Sequence, residues 1–236
     1  MSPPGTDKLV FRVGKRLLDP LARYHHHRVE GMEHVPRSGP ALCVLHHSFA
    51  TYDAFLVGLR VMEDVGRFPY GLGDNQLFRF PPIRPLLDDL HIRPAEPGAA
   101  LALLRQGELV FVAPGGMREA LRPYSRRYEP DWHDRKGFVR LALRAQVPVV
   151  LFACPAADRI YTVYDLPLTE RFYQRFHLPL ALVRGVGPTL VPRPVRLTHH
   201  ISEPIPPPPD DADDPEAVDR FHAVLVARMR ELLTLR

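Results

Sequence analysis

The chain has 236 residues, 45% of them hydrophobic and 25% charged, with a formal net charge of +4. That length suits one large α/β domain, and that apolar content excludes global disorder. The basic balance, with a pI near 9.3, admits anionic partners such as phosphorylated cofactors or acidic lipid surfaces without choosing among them.

Residues 7–24, "DKLVFRVGKRLLDPLARY", place Val10, Val13, Leu17 and Leu21 at helical spacing, with Lys8, Arg12, Lys15, Arg16 and Arg23 between or beside them. A basic amphipathic helix of this kind suits a membrane interface, or equally packing on its own domain. Pro20 is expected to kink or end it near Asp19. No uninterrupted apolar core and no cleavage-like end mark a signal peptide. No window of the chain reaches the ~18 to 20 apolar residues of a spanning helix. "HHH" at 25–27 reads as surface histidines, because consecutive side chains point in different directions.

The run "ALCVLHH" reads as a buried strand and "DAFLVGLRVM" (53–62) as the helix after it. "RFPYGLG" and "LHIRP" are expected strands, joined by the Pro-rich connection "FRFPPIRPLLDD". A short helix around "GAALALLRQG", the strand "ELVFVAP" and a turn at "GGMREA" follow. "KGFVRLALRAQ" is a helix and "VPVVLFACP" a buried strand. His199 and His200 fall in a further strand and read as structural. The stiff acidic spacer "EPIPPPPDDADDPE" leads into a terminal helix. Alternating strands and helices predict an α/β fold, a mostly parallel central sheet with helices on both faces. The expected organisation is an N-terminal amphipathic helix over 1–27 and one domain over 28–236 that includes the C-terminal helix. Cys43 and Cys154, both in apolar runs, are too few for a disulfide scaffold and favour a reducing compartment.

Ligands of open α/β sheets bind beyond the carboxyl ends of the strands. "LHHSFATYDAF" puts His47 at such an end, with Asp53 opening the next helix. A carboxylate on one ring nitrogen would fix the tautomer and leave the other as a base. The second constellation is "FVAPGGMREA". There Gly115 and Gly116 permit a tight turn that can cradle an anion, and Arg118 and Glu119 follow. Arg135 and Lys136 at the next helix start are further candidate anion contacts. Trp132 either lines a groove or packs.

These motifs, "LHHSFATYD", "VFVAPGGMREAL", "RKGFVRLALRAQVPVV" and the tail "ISEPIPPPPDD…FHAVLVARMREL", stand in the order that resembles the lysophospholipid/glycerolipid acyltransferase superfamily, most closely its diacylglycerol-acyltransferase-like branch. The similarity covers roughly residues 28–236. It implies acyl transfer from acyl-CoA or an acyl carrier protein to a lipid hydroxyl, with His47 as base and Asp53 as its orienting partner. Together with the anion-contact reading of the residues themselves, the candidate substrate contacts are Gly115, Gly116, Arg118, Glu119, Arg135 and Lys136. Pro114, Gly116 and Arg118 match the phosphate-binding motif of the classical members, but Gly115 replaces its Glu. That favours an uncharged acceptor alcohol. No metal and no cofactor beyond the acyl donor are expected, nor nucleic acid as a partner. The implied location is cytoplasmic, peripheral on the inner face of a membrane. Two other readings stand beside it: a non-enzymatic lipid binder on the same fold, and a metal-dependent hydrolase using His46, His47 and Asp53.

Overall fold

The computed structural model describes residues 9–165 and 182–235. In chain order the elements that matter are α1 (Leu9–Tyr24), β1 (Arg28–Glu30), β2 (Ala41–Leu45), α2 (Tyr52–Val65), β3 (Tyr70–Gly73), α3 (Arg84–Asp89), β4 (Ile92–Pro94), α4 (Pro97–Arg105) and β5 (Leu109–Val112). They continue with α5 (Gly116–Ala120), α6 (Gly137–Ala145), β6 (Val149–Ala153), β7 (Thr162–Val163), β8 (Val183–Arg184), β9 (Thr198–Ile201) and α7 (Pro215–Thr234).

Seven strands form one sheet in the order β1-β9-β6-β2-β5-β3-β4, while β7 and β8 make a separate small ribbon. Every pairing in the large sheet is parallel except β6 with β9. This is the expected architecture. The central strands β2 and β6 are buried at every position, as a parallel sheet covered on both faces requires. On one face, Phe138, Leu141 and Ala142 of α6 and Phe221, Leu225 and Met229 of α7 pack over Leu42, Val44 and Leu151. On the other, Val57, Val61 and Val65 of α2 cover Cys43, Phe111 and Val150. Both cysteines are free and buried. α7 opens on Asp214, whose Oδ1 accepts from the Glu216 N–H at 2.9 Å, with Pro215 in the first turn.

The N-terminal helix departs from expectation at two places. It runs through Pro20 to Tyr24 rather than ending near Asp19. Leu18, Leu21 and Ala22 pack against Leu56, Ile160 and Leu197, so tertiary packing holds the last turn despite the lost N–H. The apolar stripe is also divided. Leu21 faces inward, while Val13 and Leu17 remain 44% and 66% exposed. Lys15 bridges to Glu63 of α2 and to Asp19. The helix is therefore docked on the domain and still carries apolar surface outward.

The His25–His27 triplet is not uniformly superficial. His25 is fully buried, with Nδ1 2.8 Å from Val195 O and Nε2 2.7 Å from the Tyr52 hydroxyl. His27 Nε2 lies 2.9 Å from His199 Nδ1. The triplet ties the end of α1 to α2 and β9, and alternation of direction is what lets two of its rings serve two elements.

Candidate active site

Strand register assembles the site. β2 pairs with both β5 and β6 in parallel, Val44 opposite Val112 and Leu45 opposite Phe152. Three chains therefore leave the sheet at the same edge. The first carries His46, His47 and Asp53, the second the Gly-Gly turn and Glu119, and the third Cys154 and Asp158.

His47 sits just past β2. Its Nδ1 lies 3.0 Å from the Ser48 carbonyl oxygen. A carbonyl only accepts, so Nδ1 carries the proton and Nε2 is left with its lone pair. Burial lowers the His47 pKa below its ordinary value of 6.5, the largest of several influences, and keeps the ring neutral. The Asp53 carboxylate reaches not the ring but the Ser48 hydroxyl, which donates to Oδ1 at 3.0 Å. Ser48 thus stands between the two groups, where direct contact was expected. Asp53 is 2% exposed, and burial pushes its carboxyl up to about 6. Its Oδ2 is 3.9 Å from His199 Nε2.

The Gly-Gly turn is explained by what surrounds it. Gly116 has φ +52°, and a Cβ there would lie 2.7 Å from Arg135 Nη1. Arg135 Nη1 donates to Gly115 O at 2.8 Å and Pro114 O at 3.2 Å, clamping the turn from outside. A Cβ at Gly115 would run into the Glu119 side chain. The space beside Gly115 is filled by Glu119, which accepts from the backbone N–H of His47 at 3.3 Å and of Asp131 at 3.1 Å. Burial raises the Glu119 carboxyl to about 8, against the opposing pull of Arg122 and those two N–H groups.

Behind this loop lies a charged cluster that sequence reasoning missed. Arg122 Nη2 donates to both oxygens of Asp158 at 2.8 and 2.7 Å and to His46 Nε2 at 2.8 Å. His46 therefore accepts from a guanidinium, and burial lowers its pKa to about 4. Asp158 also accepts from the Tyr128 N–H at 2.8 Å. His46 is held by Arg122, while His47 and Asp53 meet the carbonyl and the hydroxyl of Ser48, so the three do not converge as one ligand set. Among the described residues, the acid–thiol–imidazole group that does converge is Asp53, Cys154 and His199, with ligand-type atoms within 4.8 Å of one another and all buried.

His47, Asp53, Gly116 and Arg135 line a cavity of about 720 Å³, inside the ~300–1,000 Å³ range of small-ligand pockets. Its walls are mainly apolar, with Phe55 and Leu59 from α2, Ile92, Phe111, Phe138 and Leu141 among them. The remaining candidate residues lie off this wall. Arg118 has a half-exposed side chain 3.8 Å from Asp131. Lys136 pairs with Asp219 of α7 at 2.7 Å. Gly115 belongs to the turn itself and Glu119 sits beneath it. Trp132 is buried edge-on against Phe138 at 5.2 Å and packs rather than lining the cavity. No helix among the described residues is long and apolar enough to cross a membrane.

Comparison with known proteins bears on this geometry. A Bos taurus protein named "DGAT1/2-independent enzyme synthesizing storage lipids" is 29% identical over 186 residues, spanning 78% of this chain and 54% of that one. The chain thus covers about half the length of such relatives. An uncharacterized Mycobacterium tuberculosis protein is 29% identical over 221 residues, 88% of this chain and 62% of that one. The crystal structure of the 1-acyl-sn-glycerophosphate acyltransferase PlsC from Thermotoga maritima matches with a TM-score of 0.53 over 95% of this chain and 83% of its own. At 17% identity that likeness shows the shared fold. The acyltransferase family model matches residues 26–154, more than half of the chain, and the protein belongs to that family.

Proposed function

We propose that this acyltransferase works at a membrane surface, moving a fatty acyl group from acyl-CoA or an acyl carrier protein to the hydroxyl of an uncharged glycerolipid or similar lipophilic alcohol. The observation that carries the reading is the His47 ring, with its proton on Nδ1 and Nε2 open, in the wall of a large apolar cavity. Nε2 takes the acceptor's hydroxyl proton as the oxygen attacks the thioester carbonyl. The new C–O bond forms, the C–S bond breaks, and the departing thiolate takes the proton back from the imidazolium. The cavity holds the acyl chain and excludes water from the thioester. Asp53 acts through Ser48, holding the carbonyl that fixes the tautomer. The role of the Gly-Gly turn and Arg135 is to receive the phosphate-bearing part of the donor. No step in this scheme calls on a metal.

The uncharged acceptor follows from the sequence resemblance, in which Gly115 replaces the Glu of the classical motif; in space the Glu119 carboxyl fills the room beside Gly115 and is engaged by backbone N–H groups. The cytoplasmic face of a membrane is the location that fits a lipid acceptor and a CoA donor. The test is lipid mass spectrometry after incubation with isotope-labelled acyl-CoA and a panel of monoacylglycerol, diacylglycerol, lysophosphatidate and long-chain alcohol. Labelled ester on a neutral acceptor, absent with His47→Ala, is the expected result. Lipid retained by both proteins with no ester formed would instead make the chain a lipid binder on the acyltransferase fold.

A further inference from the structure

The segment between β3 and α3 makes two short 3₁₀ turns, Leu77–Arg79 and Pro81–Ile83, before α3 begins. Together with the first turn of α3 it exposes large apolar side chains where a water-facing connection would hide them: Phe80 is 60% exposed and Leu77 44%, and Leu86 of α3 50%. Residues 75–87, "NQLFRFPPIRPLL", hold two arginines and no acidic residue, and the flanking aspartates Asp74, Asp88 and Asp89 stand at the two ends of the segment, Asp88 paired with Arg93. Three of the positions 75–87 are proline, which has no N–H to desolvate when the segment leaves water.

Its neighbour has the same character. α1 packs against α3, and its outward side carries Val13 and Leu17 with exposed Arg12 and Arg16. Both segments contribute to the wall of the large cavity, Gly14, Lys15 and Leu18 from α1 and Leu77 and Leu90 from the other side. The exposed apolar residues of the two segments therefore flank the cavity that contains His47.

We infer that residues 77–86 are a second membrane-inserting element, which together with the outer side of α1 seats the cavity on a bilayer rich in anionic phospholipid. The inference rests on the reading that the acceptor is a membrane lipid. Phe80, Leu86, Val13 and Leu17 enter the acyl boundary, while Arg12, Arg16, Arg79 and Arg84 lie at head-group level. A lipid then passes between the two segments into the cavity without crossing water. The arginines choose an anionic surface over a neutral one, with the nearest acidic residues, Asp74, Asp88 and Asp89, confined to the ends of the segment.

The test uses the full chain with Phe80→Trp, and Val224→Trp on the exposed side of α7 as a control. The natural Trp132 is buried and gives a constant background. Vesicles of phosphatidylglycerol and phosphatidylcholine, with and without brominated acyl chains, are added. The expected result is a blue shift and bromine quenching for Phe80→Trp on the phosphatidylglycerol vesicles, reduced by salt, with Val224→Trp unchanged. Phe80→Asp and Leu86→Asp should each weaken vesicle partitioning on the order of ten- to hundredfold. Neither residue lines the cavity, so turnover of a detergent-dispersed acceptor should stay at the parent level. Failure of the intact protein to bind phosphatidylglycerol vesicles overturns the inference, as does binding without quenching at position 80. The acyl-transfer reading is judged separately, by the His47-dependent ester formed in detergent.

Discussion

Adjacent histidines at the end of β2 lead into two different regions. On the cavity side, the His47 ring is fixed by a neutral backbone carbonyl and keeps Nε2 open. On the far side, the His46 ring is closed in, its Nε2 taking a hydrogen bond from Arg122, which is itself bound to both oxygens of Asp158. The first region is apolar and roomy, the second packed and charged. One loop thus separates the ring that, in the proposed mechanism, gains and loses a proton from a ring held by a guanidinium. Glu119 links the regions, because it lies i,i+3 from Arg122 and accepts the backbone N–H of His47. The charged region is the support on which the reactive one rests.

The sharpest way to break that division is to compare the two histidines by substitution. His47→Ala should lower kcat by ~10²- to 10⁴-fold, the usual contribution of a positioned general base. His46→Gln keeps an acceptor for Arg122 and should cost less than about tenfold. Initial rates on a detergent-dispersed acceptor, with circular dichroism to check folding, decide it. Equal losses would mean that the two rings act as one unit.

Next in size is the support itself. Arg122→Met removes the partner of Asp158 and leaves a buried carboxylate uncompensated, an error that costs about 3–5 kcal/mol. A large fall in the denaturant midpoint is expected, with the same loss whether or not substrate is present. A variant as stable as the parent would show that Asp158 is satisfied by the Tyr128 N–H alone.

The pH response separates the regions again. Burial lowers the His47 pKa below its ordinary 6.5, so its base form persists at neutral pH and is lost only on the acid side. The Asp53 carboxyl, raised to about 6, takes up its proton as pH falls through that value. Activity should therefore show one acid limb, belonging to the cluster and not to either residue. Stability runs the other way through Glu119. Its carboxyl is raised to about 8 from an ordinary 4.5, so between those values the folded state holds a proton that the unfolded chain has released. Stability is then lost as pH rises through that window, by up to about 1.4 kcal/mol per pH unit for one proton. Glu119→Gln cannot titrate and should flatten that slope, as read by unfolding curves from pH 5 to 9. A slope unchanged by the substitution would place the titration elsewhere.

How far this division was legible in the sequence depends on whether residues act within one segment or across several. β2, β5 and β6 were readable because each is an apolar run closed by Pro, Gly or His. α2, α6 and α7 carried helical spacing long enough to recognise. α3 was hidden by the prolines around it, and β1 is only three residues with alternate burial. The turn expected at "GGMREA" tightens into the short helix α5 because Glu119 folds back beneath Gly115. The position of His47 and Asp53 in one cavity wall was legible from their spacing, but not the Ser48 bridge between them, since a serine beside a histidine carries no signal of its own. Arg122 and Asp158 come from separate strand ends, so no spacing relates them. The signal available was three charges, Glu119, Arg122 and Asp158, in the otherwise apolar stretches "EALRP" and "ACPAAD". His199 was placed in a strand yet read as structural, because its neighbours His27 and Asp53 lie far off in sequence.

The smallest expected effect concerns the two arginines offered as anion contacts. Arg118 is half exposed and faces Asp131 at 3.8 Å, an arrangement worth about 0–1 kcal/mol in water. Arg135 lies in the cavity wall with its Nη1 on the Gly-Gly turn. Arg118→Ala should leave stability and both Michaelis constants within about threefold of the parent, the change that such an exposed ion pair allows. Arg135→Met loses charge-assisted bonds worth roughly 1.5–3 kcal/mol and should raise the donor's KM more than the acceptor's. Gly116→Ala is the third arm, because its Cβ would meet Arg135 Nη1 and strain a residue at φ +52°. It should reproduce the Arg135 phenotype while keeping the charge. Donor and acceptor titrations on the three variants give the answer. If Arg118→Ala raises the donor's KM and Arg135→Met does not, the donor's phosphates lie on the outer surface with Asp131, and the cavity wall serves the acceptor alone.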